Sequence, residues 1–140
     1  MTSIFKKTAA LIAALCILVC ALTSCDASVD GKVKRFVNDF FAEVEAGNYE
    51  EAETYLHPML PADLAMYFGD MESKEGIDFQ DGIEIERYIS YTDMSFDTRL
   101  NANVCELKIR TKVSGVGIRF NIGIMENADG YGIYSFKVDG

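Results

Sequence analysis

The sequence predicts an α+β domain, with N-terminal helices packed on a four-stranded antiparallel sheet. Three observations predict it. Apolar residues recur at helical spacing in the first half of the chain and at alternate positions from Ile83 onward. The alternating runs are joined by short turns, Ser114-Gly115 and Asn127-Ala128-Asp129-Gly130, which leave no room for a crossover helix and so make neighbouring strands antiparallel. Helices come first and strands afterwards, an order that lays the helices across one face of the sheet.

The chain has 140 residues and a mass of 15.5 kDa, enough for one domain. Apolar residues make up 49% and charged residues 25%, which excludes global disorder. Its formal charge of −9 argues against nucleic acid as a partner, because phosphate recognition needs a basic face.

The first residues read as an address rather than as part of the fold. Lys6 and Lys7 precede an uncharged run, Thr8–Cys25, whose strongly apolar part is Ala9–Leu22. A membrane-spanning helix needs ~20 apolar residues, so this shorter run fits the h-region of a signal peptide. It ends in Leu22-Thr23-Ser24-Cys25. That run resembles the bacterial lipobox: an aliphatic residue, two small residues and a cysteine. The resemblance implies cleavage before Cys25 and a diacylglycerol thioether on its sulfur. Residues 1–24 are then the signal peptide, residues 25–31 the lipidated cysteine and a short tether, and residues 32–140 the domain. The competing reading is an uncleaved N-terminal anchor with an incidental cysteine. Both put the domain outside the cytoplasmic membrane, and the lipobox reading anchors it to the bacterial cell membrane through Cys25. Asp26 resembles an inner-membrane retention signal in a Gram-negative envelope and carries no meaning in a Gram-positive one; the sequence leaves the envelope type open.

Of four cysteines, Cys16 and Cys20 fall in the segment to be removed and Cys25 is acylated, so Cys105 is left without a partner for a disulfide. It lies in an alternating apolar run and reads as a small core hydrophobe. Removing residues 1–24 takes away Lys6 and Lys7 but no acid, which leaves eleven basic against 22 acidic side chains and a charge of −11. Such a body is repelled by anionic headgroups, so the acyl chains hold it at the membrane.

Within the domain, Ser28 or Asp30 caps a first helix whose apolar face is Val33, Phe36, Val37, Phe40, Phe41 and Val44, stopped by Gly47. Asn48 caps a second, with Ala52, Tyr55 and Leu56 inward and Pro58 as its limit. Pro61 opens a short third, with Leu64, Tyr67 and Phe68 inward, and Gly69–Gly82 reads as an acidic loop. The first strand alternates Ile83, Ile85, Ile89 and Tyr91 against Glu84, Glu86, Tyr88 and Ser90, with Arg87 interrupting the apolar side. The second carries Cys105, Leu107, Ile109, Thr111 and Val113 on one face, and the third Val116, Ile118, Phe120, Ile122 and Ile124. Gly132, Tyr134, Phe136 and Val138 share one side of the last.

The Phe-rich first helix, the run Ala46-Gly47-Asn48-Tyr49-Glu50-Glu51-Ala52, then Tyr55-Leu56-His57-Pro58 and a four-strand meander resemble the NTF2-like (cystatin-like) superfamily, in particular its small secreted and lipoprotein members. The resemblance covers roughly residues 30–138. It implies a curved sheet wrapped around the helices as a cone, with a pocket at the open end. It further implies a homodimer through the sheet face. Phe40, Tyr55, Tyr67, Tyr91 and Phe120 are the candidate pocket lining. Two functions follow. The favoured one is a non-catalytic module that binds a small molecule or an envelope protein. The alternative is an isomerase- or dehydratase-like enzyme with a Tyr-lined pocket, which requires a carboxylate base beside a Tyr in an apolar site. No position matches the isomerase's residues, so no catalytic residue is assigned.

The remaining chemistry-bearing residues point elsewhere. His57 is the only histidine and reads as a cap or a partly exposed residue. Asp78, Asp81, Glu84 and Glu86 lack EF-hand spacing and read as a charged loop and strand edge, so no metal is assigned. With no P-loop and no dinucleotide fingerprint, no cofactor is expected. Lys108, Arg110, Lys112 and Arg119 form a basic stripe on the outer sheet face, expected to pair with Glu84 and Glu86 across the strands or to dock an anionic partner.

Overall fold

Asp30 opens the first helix by accepting the Lys32 N–H on its carboxylate at 2.8 Å, and α1 (Gly31–Glu45) follows in the computed structural model, which describes residues 29–139. The expected signal peptide over residues 1–24, the expected lipidation site at Cys25 and the expected tether as far as Ser28 lie outside the described residues. Val33, Val37, Phe40, Phe41 and Val44 are buried as the helical spacing requires, with Phe36 half-buried at the margin. Gly47, at φ +74°, ends the helix in a left-handed conformation. α2 (Tyr49–Glu53) is a single turn and a half; Asn48 precedes it, but its amide donates to Glu43 rather than capping the helix.

α3 (Leu64–Glu75) is longer than expected. Asp63, not Pro61, caps it by accepting the Met66 N–H at 2.9 Å. The helix continues through Gly69 and stops at Gly76, φ +65°. The expected Gly69–Gly82 loop therefore shrinks to a few residues around a 3₁₀ turn, Phe79–Asp81, whose Phe79 is fully buried.

The strands form an open antiparallel sheet of five, not four: β1 (Glu84–Tyr91), β2 (Ser95–Asp97), β3 (Ala102–Val113), β4 (Val116–Asn127) and β5 (Gly130–Asp139). The order is β1-β3-β4-β5, with the short β2 continuing the β1 edge along β3. β2 is too short to show an alternating pattern in sequence. The α+β class stands, with the helices packed on one face: Cys105, Leu107, Ile109, Val113, Ile118, Phe120, Ile122, Ile124 and Ile133 share one buried cluster with the α1 face, Leu64, Phe68 and Phe79. Thr111 sits fully buried among them, its hydroxyl donating to the Ile118 carbonyl at 3.1 Å.

Bulges correct two strand readings. On β1, Ile85 opposes Thr111, Arg87 opposes Arg110, Tyr88 opposes Ile109, Ser90 opposes Lys108 and Tyr91 opposes Leu107. Glu86 and Ile89 are the extra residues, so the inward positions are three apart: Ile85, Tyr88 and Tyr91. Tyr88 turns inward and Ile89 turns outward, 40% exposed. On β5, Gly123 opposes Ser135 but Ile124 opposes Ile133, which leaves Tyr134 as the extra residue. Ile133, Phe136 and Val138 face the core, and Tyr134 instead lies against Gly123, its ring where a Cβ on that glycine would sit at 2.7 Å.

His57 is buried at 1% exposure rather than partly exposed. The segment before it pairs with β5: the His57 N–H donates to the Ile133 carbonyl at 2.8 Å and the Ile133 N–H donates to the Tyr55 carbonyl at 2.9 Å. Gly132 permits that approach, since a Cβ there would stand 2.6 Å from the His57 nitrogen.

Candidate functional site

The five candidate lining residues divide into two groups. Phe40 and Phe120 are fully buried, and both pack on Phe136 with ring centroids 5.6 and 5.2 Å away. Tyr67 meets the same Phe136 at 5.6 Å, and Tyr55 meets Phe40 at 6.2 Å. Phe36, Phe41 and Phe68 complete the contacts around them. Four of the candidates thus fill the space between helices and sheet with one another. Burial raises the Tyr67 phenol, and burial followed by the charges of Asp39, Glu43 and Glu51 raises Tyr55, so both stay protonated at neutral pH. Among the described residues none of Tyr55, Tyr67 and Tyr91 hydrogen-bonds a carboxylate, so the acid–tyrosine pair that the enzymatic alternative calls for is not assembled there.

Tyr91 stands apart from the other four. It lines a cleft of about 330 Å³ with Val29, Tyr88, Ile89, Ser90 and Asp93. Its neighbour Tyr131 packs edge-on against Phe36 at 4.9 Å, under the Lys32 ammonium at 4.3 Å. Burial first, then Cys105, Glu126 and Asp30, pushes the Tyr131 phenol up to about 12.

Among the described residues neither a nucleophile nor a metal site is built. Cys105 is buried, and that burial pushes its thiol up to about 11, leaving no thiolate at neutral pH. His57 is committed elsewhere: its Nδ1 accepts the Met59 N–H at 3.1 Å and its Nε2 lies 2.9 Å from Asn127 Oδ1, which fixes the neutral tautomer with the proton on Nε2. Asp78 and Asp81 serve the neighbouring hairpin; the Ser114 hydroxyl donates to Asp81 at 2.7 Å and accepts the Asp78 N–H at 3.1 Å. Among the described residues no three His, Cys, Asp or Glu side chains gather as metal ligands.

The polar surface with most organisation is the outer face of the sheet. Lys108, Arg110 and Lys112 project from β3, with Asn121 and Arg119 opposite Lys108 and Arg110 on β4. The expected pairing with β1 holds at Arg110, whose Nε reaches Glu86 at 3.0 Å, and Lys112 stands across from Glu84 in register. Lys108 pairs instead with Asp139 on β5, at 3.3 Å. Such half-exposed pairs contribute ~0–1 kcal/mol each, so they organise the face more than they stabilise it. A groove of about 450 Å³ crosses the four main strands, lined by Ser90, Thr92, Glu106, Lys108, Asn121 and Lys137 among others. Gly123 forms part of its floor. Lys137 and Asp139 lie on this face as simple alternation with Phe136 and Val138 requires, because the extra residue at Tyr134 changes only the facing of the residues before Ser135. Among the described residues no helix is long and apolar enough to cross a membrane. Comparison of the chain with protein-family models, with curated proteins and with solved structures finds no match.

Proposed function

We propose that the chain is an extracytoplasmic lipoprotein, held to the membrane by acylated Cys25, whose domain is a non-catalytic binding module of NTF2-like type for an envelope protein or a small molecule. The observation that carries this reading is in the sequence: Lys6 and Lys7, the short apolar run Ala9–Leu22 and then Leu22-Thr23-Ser24-Cys25 stand in the order that a lipoprotein signal requires. Three helices followed by an antiparallel meander support the NTF2-like reading, and the aromatic filling between them favours contact on the outside of the sheet over an enclosed reaction chamber. There the basic side chains of an otherwise acidic domain gather around a polar groove, a complement for an anionic group on the partner.

Labelled palmitate tests the anchor: the wild-type chain incorporates it, and Cys25→Ala leaves a full-length, unlabelled precursor. A wild-type chain that is processed without incorporating label overturns the lipoprotein reading. Charge reversal at Lys137 and Arg119 tests the binding face; retention of an isolated partner by the doubly reversed variant overturns that assignment.

A further inference from the structure

The two margins of the sheet are finished differently. β1 carries its two extra residues, Glu86 and Ile89, and β2, which continues that margin, is three residues long. Bulges and short strands break the even row of N–H and C=O groups that another chain would pair with. On the β5 margin only the first half is covered. There Ile133 turns its N–H and C=O away from β4, onto the Tyr55 carbonyl and the His57 N–H. Ile133 opposes Ile124, so the backbone groups of Ile124 turn toward β3 and those of Gly123 toward β5. The other side agrees: Glu106, opposite Gly123, turns its carbonyl away from β4 and accepts the Thr92 N–H at 3.0 Å. Counting on from the Gly123–Ser135 pair, Ser135, Lys137 and Asp139 bond β4, while Phe136 and Val138 present N–H and C=O to the open margin. Among the described residues no strand or bridge meets them there.

We propose that this stretch of β5 pairs antiparallel with the same stretch of a second copy, joining two sheets edge to edge about a two-fold axis at Val138. The occupant follows from register and charge. An antiparallel neighbour sets outward-turned residues opposite one another, and two-fold symmetry then leaves three arrangements. With Phe136 opposite Phe136, the added strand runs onto Ile133, whose groups Tyr55 and His57 already hold. With Phe136 opposite Val138, Lys137 meets Lys137, and like charges directly opposite repel. With Val138 opposite Val138, Lys137 meets Asp139, once on each side of the axis. Lys137 is exposed and takes part in no ion pair among the described residues. Asp139 is held ready on the same face by Lys108 at 3.3 Å and by the Asn121 amide. On the inner face the same register lays the two half-buried Val138 side chains together. β5 is thus its own complement on both faces. Pairing through the margin leaves the outer face open and adds the second copy's Asp139 beside Lys137, which lines the groove. It also runs the row Lys108-Asn121-Lys137 of one copy into the row Asp139-Arg119-Arg110 of the other, so the two basic stripes become one band. None of this depends on acylation of Cys25.

Sedimentation velocity of the full chain, extracted from membranes in detergent, tests the pairing. The wild type is expected to pass from monomer to dimer as its concentration rises. Val138→Pro removes an outward N–H and no bond to β4, so it is expected to stay monomeric with the circular dichroism spectrum of the wild type. Lys137→Glu and Asp139→Lys each set like charges across the axis, and each is expected to weaken self-association ~10-fold or more. An equimolar mixture of these two variants is expected to restore the dimer, because every charge then meets its opposite. The charge variants decide the matter if Val138→Pro does not fold. A wild type that is monomeric at every concentration overturns the proposal. So does a dimer that survives Val138→Pro with its fold intact, or a mixture that associates no better than either variant alone. A dimer that all the variants retain overturns it too, and places the contact on the face of the sheet or elsewhere.

Discussion

Tyr131 shows what a single hydroxyl does when the fold closes over it. Its oxygen is buried and makes no hydrogen bond among the described residues. Burial pushes this phenol up to about 12 and the neighbouring Cys105 thiol up to about 11, from ordinary values of 10.0 and 9.0. The folded state therefore holds both protons more tightly than the unfolded chain. Their contribution is whole below about pH 9 and is lost as pH rises through the folded values. Tyr131→Phe removes one of the two groups and an unsatisfied oxygen, so the alkaline unfolding midpoint is expected to move upward with no loss of stability at pH 7; circular dichroism across a pH series reads both. Gly132 acts through space rather than charge. A methyl group there meets the Leu56–His57 backbone, which has no rotamer to yield, and Gly132→Ala is expected to cost ~1–3 kcal/mol in urea unfolding.

At the level of elements, legibility followed local regularity. The apolar face of α1 was readable because each of Val33, Val37, Phe40, Phe41 and Val44 points where an unbroken helix sends it. Phe40 is fully buried and touches the rings of Phe41, Tyr55, Phe68 and Phe136, so Phe40→Ala is expected to lower stability by ~3–5 kcal/mol, read from the thermal midpoint and its enthalpy. β1 was misread because an inserted residue flips every later side chain, and two insertions, Glu86 and Ile89, restore Tyr91 to the side that simple alternation had given it while misassigning Tyr88. Gly69 concealed the length of α3, since it lowers the helix propensity that Leu64, Phe68 and Met71 recover by packing. Of the candidate site, the aromatic residues were legible as inward-facing. Their mutual contacts were not, because ring-to-ring packing depends on how α3 and β5 cross, which no local pattern records. The outer groove was half legible: Lys108 follows from the alternation of β3 and Lys137 from that of β5, whereas the place of Tyr134 against Gly123 follows only from the bulge.

Across the whole molecule, charge is the main unbalanced quantity. The part of the chain from Cys25 onward carries −11, and only three ion pairs, Arg99–Asp97, Lys108–Asp139 and Arg110–Glu86, occur among the described residues. Self-repulsion of that size opposes the compact state, and salt screens it. Raising sodium chloride from low concentration to about 1 M, where the Debye length falls to ~3 Å, is expected to raise the melting temperature by several degrees; a flat or falling profile would show that the acidic groups are already spaced beyond mutual influence. The order of elements has one more outcome. Among the described residues all three α-helices precede every strand, and the residues that cover their apolar faces run as far as Val138. A chain emerging N-terminus first displays Val37, Phe40 and Phe41 to its surroundings until nearly the last residue has been released. Maturation of this domain is thus an all-at-the-end event, in which a nascent chain interrupted before β5 offers a sticky helical intermediate to whatever chaperone or protease reaches it first.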